Sequence, residues 1–158
     1  MANYLLKPVY RSVFGEEFRP DQFEDRLKMQ KAIYLLENMG ISAGDYGFMW
    51  YKHGPYSQTL QDDILCCRNL KEEKTIHFSA DAQKEIAALR KAVSKEGIHY
   101  PQFRWIECLA SMQYIKTRIL LPSAGKSRVL EELKKRKPFL NNNEDNEAAW
   151  QTLQELAI

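Results

Sequence analysis

Between Leu27 and Met39 the apolar residues Met29, Ala32, Ile33, Leu35, Leu36 and Met39 recur with helical spacing. At 100° per residue they fill an arc of roughly 160°, so most of this helix faces inward. Leu27 and Tyr34 fall outside the arc, among the polar residues Gln30, Lys31, Glu37 and Asn38. Gly40 predicts the helix end, because glycine accepts the left-handed conformation that closes a helix. A second segment, Tyr100 to Leu120, is apolar in most directions through Phe103, Trp105, Ile106, Cys108, Leu109, Ala110, Met112, Ile115, Ile119 and Leu120. Only Arg104, Glu107, Ser111 and Arg118 make a consistent polar stripe, which predicts a central helix packed on several sides.

The remaining pattern supplies further elements. Val9, Val13 and Phe14 predict a short helix from near Lys7, ended by Gly15, and Pro8 is tolerated in its first turn. Arg19-Pro20-Asp21 reads as a turn, with Asp21 as the N-cap of the next helix. Tyr46 to His53 carries aromatic residues in an extended run, and Lys74 to Ser79 is its expected partner in a two-stranded ribbon. Leu60, Ile64 and Cys67 place a helix over about Tyr56 to Asn69, starting at the Gly54-Pro55-Tyr56-Ser57 corner. Ser79 or Asp81 caps a helix with Ala82, Ile86, Leu89 and Val93 inward. Ser123 to Arg136 is a basic helix burying Val129, Leu130 and Leu133. After the Asn141-Asn142-Asn143 break, Asn146 lies in or caps a last helix with Ala149, Trp150, Leu153 and Leu156 inward. The expected fold is α+β and mainly helical, with about six helices around a buried central helix and a small two-stranded β-ribbon. Residues 1–158 read as one domain, with 123–158 as a candidate C-terminal helical subdomain.

Composition narrows the class only a little. The chain has 158 residues, with 23 Lys+Arg against 21 Asp+Glu, and the resulting +2 gives no long-range steering by itself. No run approaches the ~18 apolar residues a membrane span needs, and no cleavable leader is evident, so a cytoplasmic protein without a membrane partner is expected. Cys66, Cys67 and Cys108 match no zinc spacing and read as reduced thiols in or near the core.

Candidate chemistry is sparse. His53, His77 and His99 are too scattered for a metal cluster, and no metal or cofactor set is assigned. His53, between the aromatic run and the Gly-Pro corner, is the one candidate for proton transfer, against a structural or surface use. Ala124-Gly125-Lys126-Ser127 ends like a phosphate loop, but Leu120 stands where the first glycine is required. Asp62-Asp63, Glu72-Glu73, Glu131-Glu132 and Glu144-Asp145 are adjacent pairs whose side chains diverge on a helix, so they read as solvated faces. No catalytic residue is named. Lys126, Arg128, Lys134, Lys135, Arg136 and Lys137 form a basic group able to meet phosphates, with Lys52 or Lys74 from the ribbon, although Glu131 and Glu132 interrupt it. Tyr46, Phe48 and Trp50 should share one ribbon face and Tyr51 the other, where an exposed aromatic would anchor a partner.

Two stretches carry a resemblance. Lys28-Met29-Gln30-Lys31-Ala32-Ile33-Tyr34-Leu35-Leu36 and Tyr51-Lys52-His53-Gly54-Pro55-Tyr56-Ser57 resemble the opening motifs of the bacterial YwgA-like family. Trp105-Ile106-Glu107-Cys108-Leu109-Ala110-Ser111 resembles its later buried helix. More distantly, the first two motifs resemble the Panacea antitoxin domain, which includes SocA-type proteolytic adaptors. The resemblance implies a noncatalytic protein-interaction module of antitoxin or adaptor type, with a toxin or a protease as partner. It directs attention to Gln30, Lys31, Tyr34, Tyr51, His53, Gly54, Pro55 and Tyr56, and Trp50 of the aromatic run joins them as a candidate interaction or pocket residue. The alternatives are a nucleic-acid binder using the basic helix and ribbon, and an enzyme with a pocket near His53. Oligomeric state is left open.

Overall fold

The two helices with the narrowest polar stripes lie against each other in the middle of the molecule. In the computed structural model, which describes residues 3–70 and 75–158, these are α2 (Phe23–Asn38) and α5 (Gln102–Tyr114). Around them are α1 (Leu6–Phe14), a hairpin of β1 (Met49–Tyr51) and β2 (Gly54–Tyr56), α3 (Gln58–Cys66), α4 (Ala80–Val93), α6 (Lys126–Arg136) and α7 (Asn143–Glu155). The described residues thus form a mainly helical α+β fold with one two-stranded antiparallel sheet. Strand β2 rests on both α2 and α5, α7 covers another side of α5, and α1 pairs with α4. No described helix is long and apolar enough to cross a membrane.

Burial is nearly complete along the central pair. Every residue from Leu27 to Leu36 is buried, as is every residue from Trp105 to Gln113, including Lys31, Glu107 and Ser111. Apolar faces on both helices remove large areas from water, the main source of folding free energy. The buried part of each polar stripe, Gln30 and Lys31 on α2 and Glu107 and Ser111 on α5, faces the hairpin, whereas Glu37 and Arg118 are exposed.

Several local expectations need correction. The ribbon partner of the aromatic run is not Lys74 to Ser79. Lys74 and the Glu72-Glu73 pair lie outside the described residues, and residues 75–79 contain no strand. Instead the run turns back on itself, pairing Met49 with Tyr56, Trp50 with Pro55 and Tyr51 with Gly54. Lys52 and His53 form the turn, and Gly54 follows with φ +89°, the left-handed residue that lets a short hairpin close. Pro55 is therefore in a strand, and α3 begins only after Ser57, whose hydroxyl accepts from the Leu60 N–H at 3.1 Å. The central helix is also shorter than its hydrophobic pattern: Pro101 sets its start, and it passes into a π-helical turn over Ile115–Ile119. Asp21 does not cap α2; Gln22 holds that position, and Asp21 pairs with Arg68 at 2.7 Å. Ser79 caps α4, and Asn142 caps α7 with Asn146 lying inside it. Helix α6 starts at Lys126, three residues later than Ser123.

Candidate functional site

The turn Lys52-His53-Gly54-Pro55 is held from below by two ammonium groups. Lys31, on α2, donates to the Pro55 carbonyl at 2.7 Å, and Lys137, just beyond α6, donates to the Lys52 carbonyl. Gln30 completes the clasp by pairing with both backbone groups of Ser57, donating to its carbonyl at 2.8 Å and accepting from its N–H at 3.0 Å. Each of these polar side chains is buried, so the bonds satisfy backbone groups that have no water to turn to. Gly54 lies so close to α5 that a Cβ there would collide with the Ser111 hydroxyl. Any side chain at that position would strain the backbone and force the Ser111 hydroxyl to move.

Beneath the turn lies one carboxylate. Glu107, fully buried on α5, accepts from Arg104 at 2.6 Å, and its Oε1 stands 3.8 Å from His53 Nδ1. Burial raises the Glu107 pKa against the opposing influence of Arg104, Lys137 and Lys31. Burial lowers Lys31 to about 7 although Glu107 favours its charged form, and Lys137 is lowered for the same reason. His53 is also lowered, first by burial and then by Lys31, Lys137, Arg104 and Lys52. Three buried atoms here have no hydrogen-bond partner: His53 Nδ1, Glu107 Oε2 and Ser111 Oγ.

His53 also reaches the surface. It lines a cleft of ≈ 360 Å³ together with Arg26, Lys31, Lys52, Tyr51 and Tyr56, and Phe23 forms a further wall. Tyr51 packs on Tyr56 with ring centroids 5.1 Å apart, and Phe23 meets the His53 ring edge-on at 5.2 Å. Tyr51 and Phe23 are about half exposed, at 53% and 49%, and Met49, on the same strand face as Tyr51, is 71% exposed. These values mark an apolar collar around the cleft rather than a sealed core.

The other nominated side chains are elsewhere. Tyr34 is fully buried, donating to Gln113 and packing edge-on against Phe48. Trp50 faces the opposite side of the hairpin, between Tyr114, Arg136 and Lys137. The basic residues do not form one open field. Lys126 pairs with Glu147, Arg128 and Arg136 share Glu132, Lys134 donates to Asn143, and Lys137 is buried under the hairpin. Lys135 is exposed. The sequence reading missed Glu107, Arg26 and Phe23. A signal for Glu107 was present, because a single acidic residue on an almost wholly apolar helix must meet a buried partner. Among the described residues no three His, Cys, Asp or Glu side chains converge as metal ligands.

Compared with known proteins, the chain matches no family model, no curated protein and no solved structure.

Proposed function

We propose that this protein is a noncatalytic interaction module that captures a protein partner at the hairpin cleft, and that its finer role is that of an antitoxin or proteolytic adaptor. The carrying observation is the collar of Phe23, Met49 and Tyr51, exposed around a cleft whose floor is rigidly clasped. Large side chains held with few rotatable bonds lose little entropy on binding, which suits them as anchors. The antitoxin or adaptor role rests on the resemblance of the Gln30-Lys31 and Gly54-Pro55-Tyr56-Ser57 stretches, both of which belong to the clasp.

The test is affinity capture from native cells with the tagged chain, the Phe23→Ala/Tyr51→Ala variant and a Leu121→Ala control. Leu121 is 76% exposed and does not line the cleft. A specific partner should be held by the wild type and the control and lost from the double variant. Equal capture by all three would reject the hairpin cleft as the contact surface.

A second reading has one observation in its favour: the Glu107 carboxylate lies 3.8 Å from the Nδ1 of a histidine that lines the cleft. A buried carboxylate behind an imidazole can orient it for proton transfer. That reading leaves the exposed collar of Phe23, Met49 and Tyr51 without a role, and interaction is therefore the stronger conclusion.

A further inference from the structure

The cleft has a charge of one sign. Arg26 and Lys52 supply it, while Lys31 and His53, which also line the cleft, are shifted by burial toward their neutral forms, and no acidic side chain lines it among the described residues. Arg26 spends one N–H on the Pro20 carbonyl at 2.9 Å, and the Lys52 ammonium lies over the Tyr51 ring, 5.8 Å from its centroid. Neither has an ion-pair partner among the described residues, in contrast to Arg128 and Arg136 on α6, which share Glu132. Below the cleft, Glu107 is the one carboxylate among the described residues found facing Lys31, Lys137, Arg104 and His53. Positive charge therefore exceeds negative charge at a half-enclosed place, which is unfavourable until an anion arrives.

Resting on the interaction reading above, we infer that the cleft receives an acidic linear segment of a protein partner, its carboxylate set between Arg26 and Lys52 and an adjoining apolar side chain on Tyr51, Tyr56 and Phe23. Arg26 offers a planar fork suited to a carboxylate, and Lys52 a mobile point charge beside it. The apolar collar continues beyond the cleft through Met49, so a small free anion would leave it uncovered whereas a peptide covers both parts. A nucleic-acid strand needs a track of unpaired cations, and the basic helix beside the hairpin has most of its cations committed to protein partners.

Fluorescence anisotropy tests this with the full chain and three labelled probes: a short Glu/Asp peptide containing Phe and Leu, its Gln/Asn twin, and a short single-stranded DNA. The acidic peptide should bind, with the amide twin about tenfold weaker. Arg26→Gln/Lys52→Gln should lose about tenfold for the acidic peptide while leaving the twin within about twofold, and circular dichroism should show the variant folded. Equal binding of the twin would overturn the inference yet leave an apolar docking surface intact. Tighter binding of the DNA, or no binding of the acidic peptide by the folded chain, would also overturn it. Capture of the native partner, read with Phe23→Ala/Tyr51→Ala, decides the interaction reading separately.

Discussion

Lys31 and Glu107 show how a polar residue in a buried helix becomes informative once its neighbours are known. Both were assigned to narrow polar stripes, a pattern that looks the same whether the stripe meets water or another polar group. Here Lys31 meets the Pro55 carbonyl, and Glu107 meets Arg104 below His53. Burial puts the folded-state pKa of Lys31 at about 7, below the ~10.4 of a lysine in the unfolded chain. Between those values the unfolded chain holds a proton that the folded chain has released. Stability should consequently rise with pH across that window, by at most about 1.4 kcal/mol per pH unit for this one group, and the contribution should level off below about 7. Urea unfolding at several pH values, wild type against Lys31→Met, measures the difference in slope. The variant should be flatter, and also weaker at neutral pH because the Pro55 carbonyl loses its donor, a loss of about 1–3 kcal/mol. Identical slopes would mean Lys31 titrates as an exposed lysine. Glu107→Gln should lower stability at pH 7 by about 2–3 kcal/mol, since it removes the one negative charge among several buried or half-buried cations; chemical denaturation at fixed pH reads that change directly.

The helices were legible because a 3.6-residue period survives any neighbour, and α2, α4 and α7 fall within a few residues of the expected spans, while α5 gives way to a π-helical turn at Ile115. The hairpin was harder to read. Gly54-Pro55-Tyr56-Ser57 has the composition of a corner, and a strand only three residues long leaves no alternation to detect. What makes it a strand is tertiary: Gln30 and Lys31 occupy its backbone groups, and Ser111 sets the depth at which it sits. The same dependence gives a test of the element. Gly54→Ala should destabilise the fold by about 1–3 kcal/mol, from positive φ together with the collision at Ser111. Adding Ser111→Gly removes the collision but not the φ strain. Thermal unfolding of the double variant, compared with Ser111→Gly alone, should show only part of the loss; a full loss would assign all of it to backbone conformation.

Across the whole molecule the charges nearly cancel, and this decides how the cleft can attract an acidic partner. A net charge of +2 on 158 residues produces a weak field at distance. At physiological salt the Debye length is about 8 Å, so exposed charges farther away are largely screened. The attraction proposed for the cleft must therefore come from the cations that line it and not from the basic helix α6, whose Lys134 donates to Asn143 and whose Lys135 faces solvent. Reversing two charges on that helix, Lys134→Glu/Lys135→Glu, changes net charge by about four units yet touches no cleft residue. Binding of the acidic peptide at 0.15 M salt should stay within about twofold of wild type in this variant. The smaller change in Arg26→Gln/Lys52→Gln, which removes only two charges, should cost about tenfold. The reverse order would show that affinity follows the overall field, and that the basic helix, not the hairpin cleft, is where an anionic partner lands.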